Sequence, residues 1–284
     1  MSAAIEITKE FPPTRERTVL LELFHLVQEL QRQGIDAILC GGWVPFLKEL
    51  ARRNQTAHTM SLDIDVLLRA AAREREKIDI LRYLLRDTLG YERSRDVSFR
   101  YEKEVDGYLV EVELLADLPR GADDEAVIKV RGNSTSIDVC LADGAEVLGE
   151  HIETVQITWR EADTEQTVEI RIPDAVGFLI LKTSVGHYRM KDKDPYDIYY
   201  YCRYSEDPNV IRQKLAESNQ ERAVQSALAD LRFRFDHLDS QWVEMVLNHM
   251  NAVGDERDRE AQFIVRTIRN ITDGLNPRKP SEEC

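Results

Sequence analysis

Ser61-Leu62-Asp63-Ile64-Asp65-Val66-Leu67-Leu68 reads as a β-strand carrying two carboxylates on one face. Strand side chains alternate, so Asp63 and Asp65 point the same way while the neighbouring apolar residues bury the other face. Carboxylates held this close repel each other unless a cation lies between them. Paired Asp oxygens near a strand end suit Mg²⁺ and the phosphates it carries. Taken alone, the pair fits a solvated strand edge or turn as well, so its surroundings decide.

Upstream, Ile35-Asp36-Ala37-Ile38-Leu39-Cys40 reads as a buried strand that runs straight into Gly41-Gly42. Residues 43–53 follow with apolar positions at Val44, Leu47 and Leu50, the spacing of a helix. A glycine pair between strand and helix is a tight turn. It also lets backbone N–H groups approach phosphate oxygens and aims a helix N-terminus at negative charge.

Downstream, residues 98–105, Asp106-Gly107 and residues 108–116 read as a β-hairpin with a two-residue turn. Its second arm puts Glu111 and Glu113 on one face. One of them is expected to complete the Asp pair. Glu113 is preferred because it directly precedes Leu114-Leu115, and Asp138 in Ser136-Ile137-Asp138-Val139-Cys140 ranks below both.

A further basic stretch lies near the middle of the chain. Residues 174–190 are apolar on one side through Val176, Leu179, Ile180 and Val185, and predict a helix. Lys182, Arg189 and Lys193 share a face if that helix continues, either as a solvated stripe or as charge for a triphosphate. Asp194-Pro195 fits an N-cap followed by proline at the first helical position. Asp197 lies among Tyr196, Tyr199, Tyr200 and Tyr201 and is placed to pair with Lys182 or Lys193.

Over residues 30–205 the chain resembles the nucleotidyltransferase family of bacterial abortive-infection toxins of the AbiEii type, within the polymerase β-like superfamily. The resemblance rests on Gly41-Gly42, on Ser61-x-Asp63-x-Asp65, and on 172–182 followed by Arg189-x-Lys191-x-Lys193-Asp194-x-Tyr196-Asp197. Two positions depart from the pattern: Thr59 stands where such families often carry Arg, and Glu113 where the third carboxylate is usually Asp. The resemblance implies an α+β protein, a nucleotidyltransferase-fold mixed sheet flanked by helices with an all-helical C-terminal region. It implies two Mg²⁺ ions on Asp63, Asp65 and Glu113, and an NTP held by Gly41, Gly42, Ser61 and Lys182, with Asp194 and Asp197 in support. Nucleoside monophosphate would pass to an acceptor hydroxyl, RNA such as a tRNA end, in a toxin countered by an antitoxin protein. Two alternatives stand beside it: a non-catalytic nucleotidyltransferase-fold binding protein, and a small-molecule (antibiotic) nucleotidyltransferase. A glycosyltransferase using Asp-x-Asp fits worse, because no nucleotide-sugar sheet precedes the motif.

Composition sets the bounds. The 284 residues suffice for one large domain or two modest ones. The expected division is 1–172, nucleotidyltransferase-like with a strand-rich extension of the sheet over 118–172, and 173–284, helical. The extension should comprise strands at 127–130, 137–141, 154–159 and 168–172. Helices are expected at 15–33, 71–89, 195–204, 209–215, 222–231, 240–250 and 255–271, with a disordered tail from 276. No apolar run approaches the roughly 20 residues of a membrane span. Four scattered cysteines lack metal-ligand spacing and predict a reduced, cytoplasmic protein. His58 and His187 read as surface residues. A net charge of −14 argues against non-specific nucleic-acid binding. It leaves room for a local basic patch from Arg86, Arg93, Arg95 and Arg100, which otherwise read as a solvated helix end and loop.

Overall fold

The computed structural model describes residues 5–6, 14–53, 58–69, 73–117, 126–142, 144–145, 148–161, 164–185 and 191–275. The chain divides into two compact units: residues 1–146 with 152–173, and residues 147–151 with 174–284.

In the first unit, β1 (Ile5–Glu6) precedes α1 (Arg15–Arg32), β2 (Ala37–Leu39), α2 (Trp43–Arg53) and β3 (Asp63–Leu68). Next come α3 (Arg75–Tyr83), which ends in a π-helical turn at Leu84–Thr88, then β4 (Glu92–Arg93), β5 (Arg100–Val105) and β6 (Tyr108–Ala116). The unit closes with β7 (Val127–Arg131), β8 (Ser136–Leu141), β9 (Ile152–Glu161) and β10 (Thr164–Pro173). The main sheet has seven strands in the order β2-β3-β6-β5-β4, with β8 also pairing β6 and β7 pairing β8. It is mixed: β3 and β6 run parallel, while β2–β3 and β5–β6 are antiparallel. The α+β expectation of a mixed sheet flanked by helices, with a helical C-terminal region, agrees with this architecture.

Burial alternation sets the sheet's faces. Along β6, Val110, Val112, Leu114 and Ala116 are buried, while Glu111 and Glu113 lie on the other, more open face. In β3, Ile64 is buried between Asp63 and Asp65, which are only half-buried. The hairpin turn has φ of 53° at Asp106 and 81° at Gly107, the left-handed pair that an Asp-Gly turn supplies. The Asp79 carboxylate on α3 accepts backbone N–H groups of Asn133, Ser134 and Thr135 and the Thr135 hydroxyl, fixing the β7–β8 turn.

One expectation about the sheet is corrected. β7 and β8 do extend it, but β9 and β10 form a separate three-stranded sheet with β1. Their ten-residue antiparallel register satisfies the two strands against each other. The second sheet lies against α1, α2 and β2 through apolar and ionic contacts. Phe24 meets Trp159 at 4.5 Å between ring centroids, and Lys48 pairs with Glu153.

The second unit is helical: α4 (Ala175–Val185), α5 (Lys193–Tyr200) with a π-helical turn at Tyr201–Ser205, α6 (Pro208–Glu217), α7 (Arg222–Arg234), α8 (Gln241–His249) and α9 (Gly254–Thr272). Its core includes Phe178 stacked on Tyr201 and Phe235 edge-on to Trp242. Asp174 caps α4, accepting the N–H groups of Val176 and Gly177. The expected N-cap at Asp194 moves to Asp192, since α5 begins at Lys193. The side chain of Asp194 is drawn inward to an ion pair instead. Lys182 and Lys193 therefore stand on different helices, and Arg189, His187 and the tail from residue 276 lie outside the described residues. Among the described residues, no helix is long and apolar enough to cross a membrane.

Candidate metal centre

Parallel register places Asp63 opposite Glu111 and Asp65 opposite Glu113. One carboxylate oxygen from each of Asp63, Asp65 and Glu113 lies within 4.8 Å of the other two, and all three residues are half-buried. Two carboxylate charges at that separation repel by about 3 kcal/mol at an effective dielectric near 20. Positive charge nearby relieves that repulsion.

The backbone around it is closely built. Cys40 N–H donates to the Asp65 carbonyl at 3.0 Å, so the residue after β2 is hydrogen-bonded to β3. Gly41 then adopts φ of +68°, and a Cβ there would overlap Asp65 Oδ2 and lie 3.0 Å from Asp65 Cγ. Only glycine fits both the conformation and the approach. The chain enters α2 at once, and the fully buried Trp43 donates its indole N–H to the Asp63 carbonyl at 2.8 Å. The Ser61 hydroxyl donates to Asp63 Oδ1, so Ser61 orients a carboxylate.

Arg100, on β5, sits opposite Glu113 on the flank of β6 away from β3. Its Nη2 is 2.6 Å and its Nε 3.1 Å from Glu113 Oε1, and its Nη1 is 2.5 Å from Glu111 Oε1. Burial disfavours the guanidinium charge, but the hydrogen bond and charge of Glu113, then Glu111 and Asp63, outweigh it and raise the Arg100 pKa. Asp65, Glu113 and Arg100 thus form one cross-strand row. The donor set of three hard oxygens suits Mg²⁺ or a similar cation. One of those oxygens, Asp65 Oδ2, fills the space that a side chain at position 41 would need.

Other residues singled out from the sequence take different positions. Glu111 shares the face of Glu113 but is held by Arg100. Asp138 pairs with Arg93 and lies outside the three-carboxylate group. Arg93 and Arg100, two members of the expected basic patch, are ion-paired. His58 is buried, contrary to its reading as a surface residue.

In the second unit, Lys182 is buried and donates to Asp194 at 2.9 Å and to Asp197 at 2.7 Å, both buried as well. Burial opposes the ammonium charge, and Asp197 and Asp194 overcome it and raise its pKa. The solvated-stripe reading of Lys182 is thus corrected. The anticipated ion pair between Asp197 and Lys182 is present.

Two supporting roles escaped the sequence reading, that of Arg100 beside Glu113 and that of Trp43 beside Asp63. Arg100 was detectable, because a two-residue hairpin turn fixes the register and sets Arg100 against Glu113. Trp43 gave no signal beyond its place after the glycines.

No family model and no curated protein matches this chain. Among solved structures it is similar to an antigenic nucleotidyltransferase-like protein from Paracoccidioides brasiliensis, at 14% identity and a TM-score of 0.38. The match covers 76% of this chain and 87% of that one.

Proposed function

We propose that the first unit is a divalent-cation-dependent nucleotidyltransferase, moving a nucleoside monophosphate from an NTP to an acceptor hydroxyl and releasing pyrophosphate. The observation that carries this reading is the convergence of Asp63, Asp65 and Glu113 from two parallel strands beside the Gly41-Gly42 turn into α2. Asp63, Asp65 and Glu113 would hold Mg²⁺, two ions in the full form of the reading, which when bound screens the triphosphate and lowers the pKa of the acceptor hydroxyl. Ser61 and Trp43 fix Asp63 by its side chain and its backbone, so the carboxylate need not reorganise as charge moves. Backbone N–H groups at the start of α2 would receive phosphate oxygens. Glu113, held through Oε1, keeps Oε2 for the cation or for the proton of the acceptor hydroxyl. Lys182 has no part in this scheme, because its ammonium is committed to Asp194 and Asp197.

The acceptor we favour is RNA, a tRNA end, and with it a toxin restrained by an antitoxin in the cytoplasm. This rests on the sequence resemblance alone. Purified protein incubated with each labelled NTP, Mg²⁺ and total RNA should transfer label to RNA. Label on a small hydroxylated or polycationic acceptor would point to the antibiotic-modifying class. One observation favours a non-catalytic reading: a guanidinium already occupies part of the acidic cluster. NTP binding without transfer to any acceptor would establish it.

A further inference from the structure

Among the described residues, Arg100 is the basic side chain in contact with Glu113, and its placement is specific. It engages a single oxygen of Glu113, Oε1, with two of its nitrogens, and a single oxygen of Glu111 with a third. It does so from β5, while Asp65 faces Glu113 from β3 on the other flank of β6. Arg100 is only about a quarter exposed, so water screens this contact less than a surface pair. A guanidinium stays charged throughout the physiological range and cannot yield to a metal by losing a proton.

We propose that Arg100 is the resident counter-charge of the metal centre. It compensates the carboxylates while no divalent ion is bound and lowers the centre's affinity for the bare ion. The cation is then retained only together with the triphosphate, whose own negative charge offsets Arg100. The proposal rests on the metal-centre reading above and adds what regulates it: the centre loads as a cation–nucleotide complex. A unit charge about 6 Å from a divalent ion, even screened as in bulk water, changes its affinity by about tenfold.

The test is Mn²⁺ binding to the full-length protein by titration calorimetry and electron paramagnetic resonance, with and without a non-hydrolysable NTP analogue. Arg100→Gln should bind Mn²⁺ alone about tenfold more tightly than wild type, and the analogue should increase Mn²⁺ affinity less in the variant. Arg100→Lys keeps the charge, loses the fork, and should stay within about threefold of wild type. It keeps the proposal testable if Arg100→Gln fails to fold, because a large loss of Mn²⁺ affinity in Arg100→Lys would make Arg100 a holder of Glu113 and overturn the counter-charge role. Unchanged or weaker Mn²⁺ binding in a folded Arg100→Gln would overturn it as well. Absence of Mn²⁺ binding in wild type and both variants, with the analogue present, would instead overturn the metal-centre reading, and the counter-charge role with it.

Discussion

Asp65 and Glu113 face each other in register across two parallel strands, with Arg100 next in the same row. Neighbouring strands lie about 4.8 Å apart. This pairing therefore brings two negative charges to contact range by backbone hydrogen bonding alone, before any ligand contributes. Asp63, two residues back on β3, joins from the same face. The cluster is a product of strand register, and register is what most mutations leave intact.

Asp63→Asn and Asp65→Asn should therefore leave the fold whole while removing cation binding. Each change deletes an anionic ligand and relieves repulsion, so the melting temperature without divalent ions should hold or rise. Thermal unfolding with and without Mn²⁺ checks this. A metal-dependent rise in either variant equal to that of wild type contradicts the assignment.

The two glutamates of β6 should separate. Glu113→Gln is expected to lower Mn²⁺ affinity by at least tenfold, because it removes a ligand. Glu111→Gln removes a charge that Arg100 holds and that is not a ligand, and should lower affinity less than Glu113→Gln does. Calorimetric titration of both variants decides; equal losses would show that the cation does not distinguish them.

Gly41→Ala tests the backbone cradle. An alanine at φ of +68° costs about 1–2 kcal/mol, and its methyl would displace the Asp65 carboxylate. We expect a lower melting temperature together with weaker Mn²⁺ binding. A stability loss with unchanged Mn²⁺ affinity would mean that Asp65 is not held by this contact.

How much of this could be read in advance follows from particular residues. The Asp63–Asp65 strand, the Asp106-Gly107 hairpin and the helix after Gly41-Gly42 were readable because period-two alternation, turn chemistry and helical spacing are local signals. The separate sheet of β9 and β10 was not, because alternation identifies a strand without naming its partner. The burial of Lys182 was hidden for a related reason, although its pairing with Asp197 was anticipated. Its helix is apolar almost all round, and the two aspartates that neutralise it come from the next helix. Asp194-Pro195 imitates a helix cap, yet the ion pair with Lys182 decides where Asp194 goes.

Lys182→Met should then destabilise the second unit. It strands Asp194 and Asp197 in a buried setting, and breaking such a group by removing one partner costs about 3–5 kcal/mol. The raised lysine pKa gives the sign of the pH dependence. This contribution is complete below the ordinary lysine value of 10.5 and is lost only as pH rises beyond it. Urea unfolding of wild type should show no loss from this three-residue group between pH 7 and 9. A variant as stable as wild type would mean that the three groups do not act together.

His249 lies tilted against Tyr196, with ring centroids 4.3 Å apart, and its pKa is lowered, chiefly by burial, with Asp197 opposing. A depressed folded-state pKa means that the stabilisation is present above the ordinary value of 6.5 and fades as pH falls below it. His249→Asn should flatten the decline in stability between pH 6.5 and 5. An identical slope in variant and wild type would assign that decline to other groups.

The most direct test of the central claim is covalent transfer itself. Wild-type protein, Asp63→Asn and Asp65→Asn are each incubated with the four α-labelled NTPs, Mg²⁺ and total RNA, and acid-insoluble label is counted. The account predicts Mg²⁺-dependent label from at least one NTP in wild type and none above background in either variant. Label that persists in both variants, or its absence from wild type with RNA and with small-molecule acceptors alike, would contradict it.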